Sequence, residues 1–410
     1  MTSANRSDEP IVIDDAAARE RLGGIADAFL AHDRVIQRRC EDSVVRREHV
    51  IRRSRGMAPS SLRLPVAARR PLVAAGAELK STFCVVVGDK AHLSPHLGDL
   101  EAVAARLAFR ADLALYLDVL GVRPELVAHD LHEGYAATRW ALEQEVELLG
   151  VQHHHAHAAS CLAEHGRREP ALAVVLDGSG WGPDGTFWGG EVLRCDLDGY
   201  ERVAHLEAVP LPGGDAAIRQ PWRSAAAYLE RGGRPVPFAR WPLVRQSLAI
   251  NAPRSSGAGR LFDAAAALLG VREHVTYEGQ AAIELEDLAG QVEADAYPCR
   301  MSGGVLRGAD LIARVHDDLA EGRARREIAA AFHEGVAAAF AQAVTAAAEP
   351  DERSVLLTGG TMQNLRLRAS LERRLAASGF EVLTHRTIPP NDGGISFGQA
   401  AIAARRTACA

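Results

Sequence analysis

Residues 171–180, ALAVVLDGSG, decide the fold that the sequence predicts. Six apolar residues, 171–176, predict a buried strand, and the Asp-Gly-Ser-Gly run after them predicts a turn at its end. Residues 188–197 have the pattern of a hairpin partner for this strand. Backbone N–H groups in a glycine-rich turn at a strand end can contact a phosphate. The stretch therefore predicts an α/β protein with an anion site at the turn.

The first half of the chain has the same order of elements. Residues 72–76, 82–88 and 91–97 predict three short strands, and an amphipathic helix near residues 100–120 follows them. In both halves, helices and strands then alternate. This repetition predicts a duplicated α/β fold, with two lobes around a cleft that the glycine-rich turns face.

Composition shifts divide the chain into three parts. Residues 1–70 contain a short helical pattern, a charged segment and a linker interrupted by proline. We expect residues 71–170 to form the first lobe. Residues 171–410 would then form the second lobe, with a helical insertion and a C-terminal helix.

Bulk properties exclude several classes of function. The 410 residues carry a net charge of -6, which provides no basic field for nucleic acid. There is no run of about 18 apolar residues to span a membrane, and the polar start lacks the apolar core of a signal peptide. We therefore expect a cytoplasmic protein with no membrane partner. The six cysteines form no CxxC pair, so we expect no disulfide framework.

A cluster of histidines is the most informative local motif. Residues 151–157 read VQHHHAH. On a helix that starts here, His153 and His157 are one turn apart and share a face, as two imidazole metal ligands require. A solvated polar patch and a chance cluster remain as alternatives.

Two aspartates are candidates to complete such a site. Asp177 ends the buried strand, where packing does not call for an acid, and Asp392 lies in an Asn-Asp-Gly-Gly loop. Both also fit ordinary Asp-Gly turns, so either interpretation stays open. Two histidines with carboxylates suit iron, zinc or manganese equally well.

Several motifs together resemble one family. Residues 151–160, PLPGGDAAIRQPW at 210–222, SSGAGRLFD at 255–263, TYEGQAA at 276–282 and PNDGGISFG at 390–398 resemble the HypF hydrogenase-maturation carbamoyltransferases. The resemblance is to their C-terminal TsaD-like catalytic domain and covers about residues 72–406. Related domains occur in antibiotic O-carbamoyltransferases and in the tRNA threonylcarbamoyl-transferase TsaD.

The resemblance implies an actin-like (ASKHA) fold and a carbamoyl-adenylate intermediate, made from carbamoyl phosphate and ATP and bound with a divalent metal. It places the metal ligands at His153, His157, Asp177 and Asp392. The residues that it places around the nucleotide are Gly178, Ser179, Asp263, Gly279, Gln280, Gly359, Gly360 and Asn364.

The resemblance also suggests groups that act on the substrate. Lys80, in GAELKST, lies at the first phosphate turn, where it could offset negative charge; Ser81 stands where the family usually has Asn. His154 or His155, beside the ligands, could act as the base, although either could merely orient a ligand.

Two features distinguish this chain within the wider group. TsaD proteins typically have Ser at the position of Asp177, so the aspartate argues against tRNA modification. Residues 25–59 resemble only the tail of the YrdC-like domain that makes carbamoyl-adenylate in HypF proteins. A separate YrdC-type protein is therefore a candidate partner.

Three functions are compatible with the sequence. The first is carbamoyl transfer to a hydroxyl of a small natural product, which we prefer because the hydrogenase-type N-terminal apparatus is not recognised. The second is transfer to the C-terminal cysteine of HypE, which leads to the cyanide ligand of [NiFe] hydrogenase. The third is a nucleotide-binding scaffold without catalysis, which the four candidate ligands make the weakest of the three.

Overall fold

The computed structural model describes residues 4–6 and 9–409, which form two compact units. The first unit runs to Arg168 and takes up the chain again from His385, and the second is Glu169–Thr384. The sequence predicted a first lobe at residues 71–170 and a second lobe at residues 171–410. In the structure, the last 25 or so residues belong instead to the first unit.

The first unit is an α/β unit with two short N-terminal strands. Its elements are α1 (Asp15–Leu22), β1 (Val44–Arg46), β2 (His49–Arg52), β3 (Leu62–Arg63), β4 (Leu72–Ala74), β5 (Cys84–Val87), β6 (Lys90–Leu93), α2 (Val103–Leu120), β7 (Leu126–Asp130), α3 (Ala136–Leu142), β8 (Glu147–Val151), α4 (His153–Glu164), a 3-10 helix (Asp392–Gly394) and, in chain order the last helix of the protein, α13 (Ile395–Cys409).

The second unit contains strands and several helices. Its elements are β9 (Ala171–Trp181), β10 (Phe187–Cys195), β11 (Tyr200–Leu206), β12 (Val209–Pro210), α5 (Asp215–Arg219), α6 (Pro221–Arg231), α7 (Trp241–Val244), a 3-10 helix (Arg245–Ala249), β13 (Arg254–Ser255), α8 (Ala258–Leu268), α9 (Gln280–Ala289), β14 (Met301–Ser302), β15 (Val305–Leu306), α10 (Gly308–Ala320), α11 (Arg325–Ala347), β16 (Ser354–Thr358), a 3-10 helix (Gly360–Gln363), α12 (Leu365–Ala377) and β17 (Glu381–Thr384).

The two sheets have the same plan. In the first unit the strand order is β3-β6-β5-β4-β7-β8; β6, β5 and β4 are antiparallel, and β7 and β8 then add in parallel. In the second unit, β11, β10 and β9 are likewise antiparallel, and β16 and β17 add in parallel. An antiparallel meander followed by two parallel strands thus occurs twice, which confirms the duplicated, actin-like α/β fold.

The strand that begins the second unit is longer than the sequence suggested. We expected a turn after residue 176, but β9 continues to Trp181 and pairs with β10 on both sides of an irregularity. Pairing passes from Trp188↔Gly180 to Gly190↔Leu176, so that residues 177–179 lie opposite Gly189 alone. The Asp-Gly-Ser segment is therefore a bulge in a hairpin, a feature that re-aims side chains at functional sites.

Helix α11 lies in the core of the second unit. Among the described residues it alone is long and apolar enough to cross a membrane, by length and composition only. Of its most apolar window, 78% is buried inside the protein. Phe332 and Phe340 of this helix are fully buried. These values are those of a core helix in a globular unit.

Helix α13 belongs to the first unit because its polar and small residues fit there. Gln399 accepts a hydrogen bond from the Gly76 backbone N–H at 2.8 Å and donates one to the Gly76 carbonyl at 3.2 Å. Gly398 faces α4 so closely that a Cβ there would stand 1.8 Å from the Ala156 carbonyl oxygen. Only glycine allows this approach, so the packing of α13 on α4 depends on residue 398.

We predict that Gly398→Ala destabilises the protein. The added methyl group would overlap the Ala156 carbonyl and push α13 away from α4, at a cost of about 1–3 kcal/mol in the free energy of unfolding. That cost should exceed the ~1 kcal/mol that alanine gains in a helix. Chemical denaturation measures the difference. Gly24→Ala is the control, because a Cβ at Gly24 meets nothing within 4 Å; equal stability of the two variants would contradict the prediction.

Candidate functional site

The histidine cluster forms the first turn of a buried helix. Gln152 is the N-cap of α4, and its side-chain oxygen accepts the His155 N–H at 2.9 Å, so that the helix starts at His153. His153 and His157 then lie one turn apart, with ring centroids 5.1 Å from each other. Their exposed fractions are 0% and 1%. The histidines are therefore not a solvated patch.

Asp392 lies beside these two rings. It begins the 3-10 helix that leads into α13, and Asn391 caps this helix by accepting the Gly393 N–H at 3.0 Å. One carboxylate oxygen of Asp392 is 3.9 Å from Nε2 of His153 and 3.7 Å from Nε2 of His157. One nitrogen from each ring and this oxygen all lie within 4.8 Å of one another.

Asp130 orients the first of these histidines. Its Oδ2 lies 2.7 Å from Nδ1 of His153, and both side chains are fully buried. A carboxylate at this position accepts the Nδ1–H and so leaves Nε2 as the ring's lone-pair nitrogen. The sequence analysis did not identify Asp130. The available signal was an acid at the end of the buried strand β7, the same signal that drew attention to Asp177.

The donor set fits a divalent cation. It consists of two buried imidazole nitrogens and one carboxylate oxygen on a common side, with one imidazole held by a second carboxylate. A buried carboxylate needs a compensating charge or hydrogen-bond donors. The mixed nitrogen and oxygen set does not discriminate among zinc, iron and manganese.

Lys80, His154 and His155 are the other predicted residues of the first unit, and they lie near His153, His157 and Asp392. Lys80 is half-buried, and its left-handed backbone (φ 46°) is supported by an N–H bond to Asp99 at 3.1 Å. Its carbonyl oxygen is 3.6 Å from the Cβ position of Gly393, next to Asp392. His154 and His155 are buried on α4. Nδ1 of His154 lies 3.1 Å from the amide nitrogen of Gln152.

In the second unit, Asp177 lies in the β9 bulge. It is buried, and its Oδ1 accepts the Gly360 N–H at 3.1 Å. Gly359 is left-handed (φ 95°), and a Cβ there would stand 2.2 Å from the Leu176 carbonyl. The glycine-rich ends of β9 and β16 are therefore in contact, as parallel neighbours in the sheet. Gly178 and Ser179, the next residues of the bulge, are partly exposed.

Asp263 faces a buried arginine that the sequence analysis did not single out. Nη2 of Arg260 is 2.9 Å from Oδ2 of Asp263, and the two side chains are 7% and 5% exposed. Burial raises the pKa of Asp263, and the positive charge of Arg260 partly opposes this effect. The same Nη2 lies 3.9 Å from the Cβ position of Gly178. A cation thus lies beside the bulge that the sequence predicts to bind phosphate.

The Asn364 side chain caps a helix and contacts a buried histidine. Its side-chain oxygen caps α12 by accepting the Leu367 N–H at 2.9 Å, and its amide nitrogen lies 2.9 Å from Nε2 of His333. Nδ1 of His333 lies 2.7 Å from the Ala329 carbonyl, so this nitrogen carries the proton and Nε2 accepts from Asn364. The predicted nucleotide contact of Asn364 would have to coexist with these bonds.

Gln280 and Gly279 form the start of α9. Gly279 is the left-handed N-cap (φ 74°), and the side-chain oxygen of Gln280 accepts the Thr276 N–H at 2.8 Å. Its amide nitrogen donates to Glu284 at 3.1 Å. These bonds fix the loop that the sequence predicts to lie near the nucleotide.

Comparison with known families gives three matches along the chain. The profile described as "HypF Kae1-like domain" matches residues 67–164, and "Carbamoyltransferase, Kae1-like Domain, second subdomain" matches residues 173–399. A YrdC-type profile, described as "Telomere recombination", matches residues 1–54. The matches follow one another in the order expected from the sequence.

Individual relatives agree with these matches. "Carbamoyltransferase HypF2" of Cupriavidus necator is 44% identical over 99% of this chain and 56% of its own length. A "Carbamoyltransferase HypF homolog" from the same organism is 38% identical over 83% of this chain and 93% of its own length. A solved structure, "full-length HypF in the phosphate- and nucleotide-bound form", is 38% identical with a TM-score of 0.94, over 99% of this chain and 67% of that one.

These relatives correct the expected acceptor, and the first two curated ones are longer than this chain. The preference for a hydroxyl acceptor on a small natural product is wrong, because the similar proteins carry the name of the hydrogenase-maturation enzyme HypF. The chain spans 56% and 57% of the length of the first two curated relatives.

We predict that Asp130→Asn weakens metal binding by about 10- to 100-fold, the usual effect of losing a carboxylate that orients a histidine ligand. The amide can present its NH₂ group to Nδ1 of His153 and so favour the tautomer with the proton on Nε2. Competition with a chromophoric chelator for Zn²⁺ measures the affinity. Asp89→Asn, at an exposed carboxylate of the same unit, is the control; an affinity of Asp130→Asn equal to that of the control would contradict the assignment.

We also predict a pH dependence of stability from His333. Burial lowers its pKa to about 4, whereas an unfolded histidine titrates near ~6.5. The unfolded chain therefore binds the proton first, so stability is full above pH ~6.5 and falls as the pH drops towards 4, by on the order of 3 kcal/mol at most.

His333→Gln tests this pH dependence, because it keeps an acceptor for Asn364 but does not titrate. Over that range, its free energy of unfolding should fall less steeply with decreasing pH than that of the wild type. Parallel curves for the two proteins would show that His333 is not the group responsible.

Proposed function

Because the chain belongs to the HypF carbamoyltransferase family, we propose that it transfers a carbamoyl group to the C-terminal cysteine of a HypE-type protein. The donor is carbamoyl-adenylate, formed from carbamoyl phosphate and ATP, and AMP is released. The observation that carries this proposal is the ordered match of both HypF-type subdomains over residues 67–164 and 173–399. A kinship with antibiotic O-carbamoyltransferases stays a prediction.

His153, His157 and Asp392 are the proposed ligands of a divalent cation, zinc, iron or manganese, with Asp177 as a fourth. The convergence of the first three in one unit, and the carboxylate behind His153, support this assignment. When bound, the cation supplies positive charge to the phosphate oxygens and so favours departure of AMP.

The chain's own residues bind the rest of the donor. In the second unit, the bulge at Gly178 and Ser179 and the turn at Gly359 present backbone to a phosphate, and Arg260 provides a buried positive charge beside Gly178. Lys80 of the first unit, whose backbone carbonyl oxygen is 3.6 Å from the Cβ position of Gly393, is the proposed second cation. Such preorganised charges offset the negative charge that develops on the leaving group.

The acceptor thiol must lose its proton to attack the carbamoyl carbon. His154 and His155 are the proposed bases, because they lie on the same turn of α4 as the first ligand. The C–S bond then forms as the bond between the carbamoyl carbon and the phosphate oxygen of AMP breaks. The proton goes to the imidazole.

The supply of carbamoyl-adenylate is a separate matter. Residues 1–54 match a YrdC-type profile, and we propose that this segment is the tail of such a domain. A YrdC-type protein would then form the adenylate. A reaction that needs added YrdC-type protein for turnover with ATP and carbamoyl phosphate, but not with supplied carbamoyl-adenylate, supports this division.

The test is a mass-spectrometric assay. The chain is incubated with carbamoyl phosphate, ATP and a HypE-type protein, with and without a YrdC-type protein, and AMP and carbamoylated cysteine are measured. We expect both products in equal amounts, and none with an acceptor whose C-terminal cysteine is serine. Nucleotide binding without any turnover from supplied carbamoyl-adenylate would instead favour a non-catalytic scaffold.

We predict that Asp392→Asn reduces turnover from supplied carbamoyl-adenylate by at least about 100-fold, because a neutral amide oxygen is a poor replacement for a charged ligand. Single-turnover assays at saturating metal measure the loss. Asp89→Asn should retain wild-type rates. An Asp392→Asn variant that binds metal and turns over normally would remove Asp392 from the proposed site.

A further inference from the structure

Glu164 joins the metal helix to the segment that carries Asp392. It is the last residue of α4, two turns beyond His157, and its side chain is 6% exposed. The segment that begins at His385 approaches it from the far end of the chain. Four residues after Ile388, this segment reaches Asp392.

One carboxylate accepts five hydrogen bonds from this segment. Oε1 accepts the backbone N–H groups of Thr387 and Ile388, at 2.5 and 3.0 Å, and the Thr387 hydroxyl at 2.8 Å. Oε2 accepts the Arg386 N–H at 3.1 Å and lies 3.2 Å from Nδ1 of His385. Three consecutive backbone N–H groups thus converge on a single side chain.

The charge state of Glu164 agrees with this geometry. Burial by itself would raise the pKa of Glu164, but the bonds from His385 and from the backbone outweigh it and hold the pKa at about 2. The bond and charge of His385 lower the pKa of Glu164 most, and the backbone N–H groups of Thr387 and Arg386, which do not titrate, lower it further. A permanently ionised acceptor makes these bonds stronger than neutral ones.

A second anchor lies on the other side of Asp392. A Cβ on Gly394 would stand 3.2 Å from the Ser160 hydroxyl, and Gly398 packs against the Ala156 carbonyl. Pro389 and Pro390, which have restricted backbones, occupy the interval between Glu164's partners and Asp392. The chain is therefore held against α4 both before and after Asp392, and α4 is the helix that carries both histidines.

We propose that Glu164 is a positioning residue that holds Asp392 against His153 and His157 and thereby sets the affinity of the site for a divalent cation. The proposal rests on the metal site put forward above. Glu164 lies two turns beyond His157 on α4 and would act on the site through residues 385–391. Its loss should weaken the contribution of Asp392 and leave the two imidazoles, which lie earlier on α4, in place.

A double-mutant cycle on metal affinity tests this role. Zn²⁺ affinity is measured by chelator competition for the wild type, Glu164→Gln, Asp392→Asn and the double variant, at a temperature where each is folded. We expect Glu164→Gln to bind about tenfold more weakly, near the lower end for residues behind a ligand. The double variant should bind no more weakly than Asp392→Asn alone, because the interaction that Glu164 supports is already absent.

Controls separate positioning from general damage. Asp196→Asn makes the same acid-to-amide change where a carboxylate accepts two backbone N–H groups in the second unit, at 2.7 and 2.9 Å, and should bind Zn²⁺ like the wild type. If Glu164→Gln does not fold, Thr387→Val, which removes one of the five bonds, takes its place with an expected loss of about two- to threefold, as for a single weak hydrogen bond.

Three outcomes would overturn the proposal in distinguishable ways. If Glu164→Gln, or Thr387→Val where that variant is used, binds Zn²⁺ as tightly as the wild type, the hydrogen bonds of Glu164 to residues 385–388 do not affect the metal site. Losses that multiply in the double variant would show that Glu164 acts independently of Asp392. A wild-type chain that binds no Zn²⁺, Fe²⁺ or Mn²⁺ would overturn the metal site itself, and this role with it.

Discussion

The close packing of α13 against α4 is the constraint on which the candidate metal site depends. Asp392 and the two histidines are far apart in the chain, and they meet only because the final helix lies on the helix that carries the histidines. Gly398 permits this approach, since any side chain there would overlap the Ala156 carbonyl. Gln399 ties the same helix to the Gly76 turn. A few small and amide side chains thus place the Asp392 carboxylate within 4 Å of both imidazoles.

The polar groups around the candidate metal site are held in place by hydrogen bonds from residues behind them. Asp130 orients His153, Asn391 shapes the backbone at Asp392, and Glu164 collects the N–H groups of the approaching segment. A buried carboxylate without such partners would shift its pKa and lose its charge. The second unit uses the same means at the β9 bulge, where Asp177 accepts a backbone N–H. The chemistry proposed for this family member requires these charges to persist away from bulk water.

Family membership and site geometry answer different questions. The ordered match of both subdomains identifies the HypF family and overturns the preference for a small-molecule hydroxyl acceptor. That preference rested on the N-terminal region, in which the hydrogenase-type apparatus is not recognised. The geometry adds residues that were not among the predicted site residues, namely Asp130, Glu164 and Arg260. Each lies behind a predicted site residue, where its effect depends on contacts and not on a local pattern.

By itself, the sequence determined the class of fold and the duplication, and it named His153, His157 and Asp392 as candidate ligands. These features depend on local periodicity and on motifs that the family shares. Only the tertiary structure decided that α13 joins the first unit, that residues 177–179 form a bulge and not a turn, and that Asn364 caps α12. Those outcomes depend on strand pairing and helix contacts between distant residues. A single sequence read locally contains no distances, so it could not supply them.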